Sequence, residues 1–207
     1  MADTAKVTRY IINPSFRLTT TYLSVYWHEV DAATVSAEGA IAVPGRYTYS
    51  SASGIELMSE YHDSQLHIIY SPVTDFDTPG IQKWLRLLLK DVITSRAREI
   101  LPARVRYWEQ QKGIHGTGVK IKKLRKNVLG CCTGNNEIHL PPFLVIFKQE
   151  WMDGVILHEM AHYLHKHHRK SFWDYLSQLL GTDARKADAK TDIALSPYFD
   201  YYCYLTS

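Results

Sequence analysis

The chain has 207 residues, 45% of them hydrophobic, 12% aromatic and 22% charged, with a formal net charge of +3 when histidine is neutral. That composition excludes a disordered chain and suits one domain, or one domain with a substantial extension, while the charge is too small to argue by itself for nucleic acid. No apolar run reaches the 18 residues of a membrane helix, and three cysteines, two of them adjacent at Cys131 and Cys132, make a poor disulfide framework.

The first ten residues carry no apolar leader segment, so a reducing cytoplasm is the expected location. Residues 1–75 read as β-rich: Val7–Ile12, Thr19–Trp27, Ile41–Val43, Arg46–Ser50 and Leu66–Tyr70 are rich in β-branched and aromatic side chains. Turn chemistry separates them at Asn13-Pro14, Glu38-Gly39, Pro44-Gly45, Ser53-Gly54 and His62-Asp63-Ser64. The tyrosines of this region (Tyr10, Tyr22, Tyr26, Tyr47, Tyr49) fit half-buried sheet positions better than a stacking surface.

Asp77-Thr78-Pro79 opens a helix, and Ile81, Trp84, Leu85, Leu88, Val92 and Ile93 recur at helical spacing, which carries it to about Glu99. Leu101-Pro102 predicts an interruption, with a second helix through Val105 and Trp108 ending at Gly113; Arg96, Arg98, Arg104 and Arg106 are expected on solvated faces. Val119–Leu124 alternates as a strand. Its basic run (Lys120, Lys122, Lys123, Arg125, Lys126) reads as a charged sheet edge rather than a phosphate receiver. Leu129–Thr133 and Glu137–Leu140 flank Gly134-Asn135-Asn136 as a hairpin, in which the two cysteines point to opposite faces and His139 is packed.

After Pro141-Pro142 and the apolar stretch Phe143–Phe147, a helix is expected from near Asp153, carrying His158-Glu159-Met160-Ala161-His162. Histidines four apart share a helix face and can grip one zinc ion, with Glu159 poised over a water that the metal activates. Tyr163–His168 should end that helix, with a His or Lys in the left-handed cap conformation because no glycine is present. Lys170–Leu180 gives a further helix, with Phe172, Tyr175, Leu176, Leu179 and Leu180 on its apolar face. The tail beyond Gly181 is polar, then aromatic (Tyr198, Phe199, Tyr201, Tyr202, Tyr204), and its expected berth is the sheet.

A catalytic zinc takes three protein ligands and keeps one position open. His165, His167 and His168 compete for the third place, with Asp174 weaker; His168, supplied after the chain has turned back, is favoured over His165, which lies further along the same helical face. The spacing H-E-x-x-H-x5-H is one that metzincins also show, but His165 stands where they place a spacer glycine, so that group is not assigned.

Leu129-Gly130-Cys131-Cys132-Thr133, Ile138-His139-Leu140 and His158 through His168 to Phe172-Trp173 together resemble the YgjP-like metallopeptidase family, a relative of the SprT-like zinc proteases, over about residues 66–180. The chain departs from the family pattern at Leu129 (Trp), Cys131 (Ser) and His139 (Asn). The resemblance implies an α+β, zincin-like metallopeptidase domain at 76–207 behind the β-rich region 1–75. It also implies zinc on His158, His162 and His168, Glu159 as general base, and a protein or peptide substrate. Two other readings keep the metal: a nucleoside triphosphate pyrophosphohydrolase, using the basic strand as a nucleotide site, or a non-catalytic zinc-stabilised module in which His165 or His167 is a fourth ligand. The oxyanion donor is open among Arg169, Lys170, His139 and a tyrosine. A nucleic-acid partner would need a broader basic surface.

Overall fold

The computed structural model describes residues 10–125, 128–195 and 199–206. Its N-terminal part is a five-stranded sheet of β1 (Leu18–Thr19), β2 (Ser24–Glu29), β3 (Arg46–Ser51), β4 (Gly54–His62) and β5 (Gln65–Tyr70), in the order β1-β2-β5-β4-β3. Among the described residues of this sheet, only the β2–β5 pairing is parallel. The β4–β5 hairpin turns on Asp63 and Ser64, at φ 48° and 67°, the two left-handed residues that match the twist of paired strands.

Alternation along these strands sends Val25, Leu57, Leu66 and Ile68 into the main core, and Met58 and Ile69 to the opposite face. There they are covered by Val35 of helix α1 (Ala32–Gly39). Neither α1 nor the separate strand β4 is evident from propensity. The helix is set by a cap, Thr34 N–H to Asp31 Oδ1 at 2.9 Å, and by Val35 being fully buried. Ile41–Val43 is not a strand, nor is Tyr10–Ile12; Val7–Arg9 fall outside the described residues.

Helix α2 runs unbroken from Pro79 to Lys112, which corrects the expected interruption at Leu101-Pro102. Proline removes one backbone bond, but Ala97, Leu101 and Val105 continue the buried stripe across it at four-residue spacing, so core packing holds the helix through the defect. Pro79 at the start and Gly113 at φ 65° mark the ends as read. Two of the arginines expected in solvent tie elements together instead. Arg96 Nε donates to Tyr22 O at 3.0 Å, and Arg104 holds Asp153 with two bonds of 2.6 Å.

The second sheet contains β6 (Gly118–Ile121), β7 (Cys131–Cys132) and β8 (Glu137–Leu140) in the order β6-β8-β7. The hairpin turns at Asn136, φ 62°. β6 is an edge, as its lysines suggested, and Lys120 Nζ meets Glu137 Oε1 at 3.0 Å; Lys126 lies outside the described residues.

A buried 3₁₀ turn (Pro142–Ile146) delivers the chain to α3 (Gln149–Ala161), which begins one turn before the expected Asp153. Helices α4 (Lys170–Leu180), α5 (Ala184–Leu195) and α6 (Phe199–Thr206) follow. The tail is therefore helical, and α6 docks on α2 and the 3₁₀ turn rather than on the sheet. Tyr201 packs against Tyr10 and Phe16, and Tyr202 against Phe147, while Tyr198 is not among the described residues. The main core runs from Leu57 and Leu66 through α2 to Ile138, Ile156 and Phe172, in an α+β arrangement as the sequence indicated.

Candidate metal centre

Helix α3 buries Met152, Ile156, Leu157 and Met160, which leaves His158 partly open on the opposite side. The helix closes at Ala161, earlier than expected and without a left-handed cap. His162, Tyr163 and Leu164 donate to the carbonyls of Glu159, Met160 and Ala161 at 3.2, 2.9 and 3.3 Å. These i to i−3 bonds satisfy the terminal carbonyls, so no His or Lys is forced to positive φ. The chain then doubles back and returns His168 to the site.

One ring nitrogen from each of His158, His162 and His168 lies within 4.8 Å of the other two, and Nε2 of His158 faces Nε2 of His168 at 3.0 Å. His162 Nδ1 donates to the His165 carbonyl at 2.7 Å, and His158 Nδ1 donates to Asp188 Oδ1 at 3.1 Å. Fixing Nδ1–H in this way orients each ring and turns Nε2 inward. Phe172, fully buried, forms the floor under all three, with ring centroids 4.6 Å from His162 and His168 and 5.0 Å from His158. Trp173 Nε1 donates to His168 O at 2.9 Å and fixes the backbone of the returning residue.

The donor set fits a metal ion. Bonds of about 2.0–2.1 Å in tetrahedral geometry separate ligand nitrogens by roughly 3.3–3.4 Å, between the separations seen here. Burial also pushes the pKa of His162 down to about 4 and lowers that of His168, which keeps the rings in the neutral form that can ligate.

Glu159 is 6% exposed and points beneath β7. Burial pushes its carboxyl up to about 7, against the opposing pull of His158 and of the Cys132 backbone N–H bonded to it. Gly130 covers it so closely that any Cβ there would lie 2.6 Å from Oε1. Lys166, on the returning segment, donates to Thr133 O at 2.7 Å and to Asn136 Oδ1 at 2.6 Å, tying that segment to the β7–β8 hairpin.

The remaining sequence candidates stay outside the cluster. His165 uses its carbonyl for His162 and packs its ring on Tyr175, and His167 Nδ1 accepts from the Arg169 backbone at 3.3 Å. Asp174 pairs with Lys170 at 2.6 Å, His139 is buried on Glu137 at 2.7 Å, and Tyr163 donates to Glu109 at 3.0 Å. Sequence reasoning missed Asp188, whose only local signal is a helical polar tail 30 residues from its partner, and the closeness of Gly130, which a motif names but does not explain.

Beside the cluster lies a cleft of about 370 Å³ between α3, α4, α5 and the segment before β7. Among the described residues no helix is long and apolar enough to cross a membrane.

A family model described as YgjP-like, metallopeptidase domain matches residues 42–191. No curated protein matches the chain. Among solved structures, the chain is similar to the crystal structure of the metallopeptidase zymogen of Pyrococcus abyssi abylysin. The two are 19% identical with a TM-score of 0.41, over 47% of this chain and 96% of that one.

Proposed function

The chain belongs to the YgjP-like metallopeptidase-domain family, and on that premise we propose that it is a zinc-dependent peptidase that cleaves protein or peptide substrates by water attack. The observation that carries this reading is the convergence of His158, His162 and His168 within 4.8 Å, with buried Glu159 in the same turn of α3. The three histidines would hold the ion. An ion held there would supply Lewis acidity, of the kind by which zinc brings the pKa of water from 15.7 to about 7 and polarises a carbonyl.

Glu159 acts as general base. Its carboxylate takes a proton as the water oxygen bonds to the scissile carbonyl carbon. It then delivers that proton to the departing amide nitrogen, leaving a carboxylate and an amine. The Cys132 backbone N–H and the Gly130 backbone hold the carboxylate in one orientation. Asp188 and the His165 carbonyl hold two of the imidazoles. In this proposal residues 76–207 form the hydrolytic part and 1–75 its β-rich support, since every group named belongs to the later segment.

The test is elemental analysis of the purified chain beside peptide cleavage by wild type and Glu159→Gln. One zinc per chain, with cleavage by wild type only, is expected. A chain that binds no metal, or one that holds zinc and cleaves nucleoside triphosphates but no peptide, would overturn the reading.

A further inference from the structure

We propose that the cleft beside the metal centre receives a long cationic side chain, lysine or arginine, of a peptide substrate, with Glu150 as its carboxylate partner. This rests on the peptidase reading above and names the substrate class of the same site.

Glu150, Gly154 and His158 follow one another at four-residue spacing on α3, so they share a face, and all three line the cleft. Each step is about 6 Å along the axis at about 1.5 Å per residue, and the face forms a track leading away from the metal centre. Gly154 sits in the middle of that track. Its φ is not positive, and a Cβ there would meet nothing within 4 Å, so neither a turn nor a close approach in the fold calls for glycine. Glycine inside a helix is a stability cost that alanine would remove. Its effect here is to leave the floor of the track bare, so that an extended side chain can lie along it.

Much of the lining is apolar, with Leu129 from the segment before β7 and Leu176 and Leu180 from α4. These residues suit the methylene stem of a long side chain whose charged head reaches further out. The charges along the lining are acidic apart from the histidines, and no lysine or arginine lines the cleft among the described residues. Asp188 is committed to His158. Glu150, exposed at the far end, has no hydrogen-bond or ion-pair partner among the described residues. An apolar groove with a carboxylate at its end, unpaired among the described residues, is complementary to lysine and arginine and repels acidic side chains.

The experiment uses the zinc-loaded full chain and quenched fluorescent peptides that differ at one position beside the scissile bond: Lys, Arg, norleucine, Ala or Glu. Wild type is expected to favour Lys and Arg over norleucine by about tenfold in kcat/KM. Glu150→Gln should collapse that ratio, Glu150→Lys should turn it toward the Glu peptide, and Gly154→Leu should lower cleavage of the long-chain peptides relative to the Ala peptide. A binding readout runs beside it: fluorescence anisotropy of the Lys peptide on Glu159→Gln, with and without Glu150→Gln, is expected to show weaker binding in the double variant. Cleavage without preference, together with equal binding in the two proteins, overturns the cationic subsite and leaves the peptidase. Binding that weakens with Glu150→Gln while no peptide is cleaved by wild type supports the subsite and counts against the peptidase.

Discussion

Gly130 and Glu159 are in contact so close that one added carbon at residue 130 would lie 2.6 Å from Glu159 Oε1 and 2.7 Å from its Cγ. The segment leading into β7 can lie over the carboxylate because residue 130 has no side chain. Gly130→Ala should therefore displace Glu159 while leaving the histidine cluster in place. A displacement of about 1 Å at a reacting group costs on the order of 10²-fold in rate. Zinc content should stay at one per chain while kcat falls. Wild-type kcat in this variant would show that the carboxylate position is not critical.

Glu159→Gln and His168→Ala should separate the two jobs of the site. The glutamine keeps the shape and the metal but cannot accept a proton, so hydrolysis should fall by at least about 10²-fold with zinc retained. His168→Ala removes a proposed ligand and should weaken zinc binding itself, measured by competition with a chromogenic chelator. Full affinity in His168→Ala would remove it from the ligand set.

Asp188 reaches His158 from a helix 30 residues further along the chain, at 3.1 Å. Removing such an orienting carboxylate typically costs roughly 10–100-fold in metal affinity or activity. Asp188→Ala should show that loss in chelator competition with secondary structure unchanged by circular dichroism, and an unchanged zinc affinity would mean that the contact is incidental.

Pro102→Ala restores a backbone donor inside α2, where Leu101 and Val105 on the neighbouring core-facing stripe are already fully buried. The internal proline defect is worth up to about 3 kcal/mol, partly offset by the greater freedom alanine gives the unfolded chain. A net gain of about 1–2 kcal/mol is expected, which raises the melting temperature by roughly 2–4 °C per kcal/mol for a chain of this size. A lower melting temperature would mean that the helix depends on the proline.

Much of the fold is legible wherever a signal is local. Pro79 and Gly113 bound α2, Asn136 turns the second hairpin, and the apolar face of Lys170–Leu180 marks α4, because each rests on residues within a turn or two of one another. The misses share a cause in the same terms. Pro102 predicts a break by its own chemistry, and the helix survives because Ala97, Leu101 and Val105 are buried against distant parts of the chain. The cap expected near His168 is replaced by three short-range bonds after Ala161, a choice made by the path the chain must take to bring His168 back.

The sequence by itself determined the chemistry of the cluster: two imidazoles on one helical face, a carboxylate between them, and a third histidine close enough in the chain to return. These follow from helical periodicity and short spacing, which need no knowledge of the rest of the molecule. Only the tertiary structure decided what surrounds that cluster. Asp188 behind His158, Phe172 beneath the three rings, Gly130 over Glu159 and the bare track from Gly154 to Glu150 depend on how α3, α4, α5 and β7 pack. Packing is a property of surfaces brought together from separate parts of the chain, and no local pattern in the sequence encodes it.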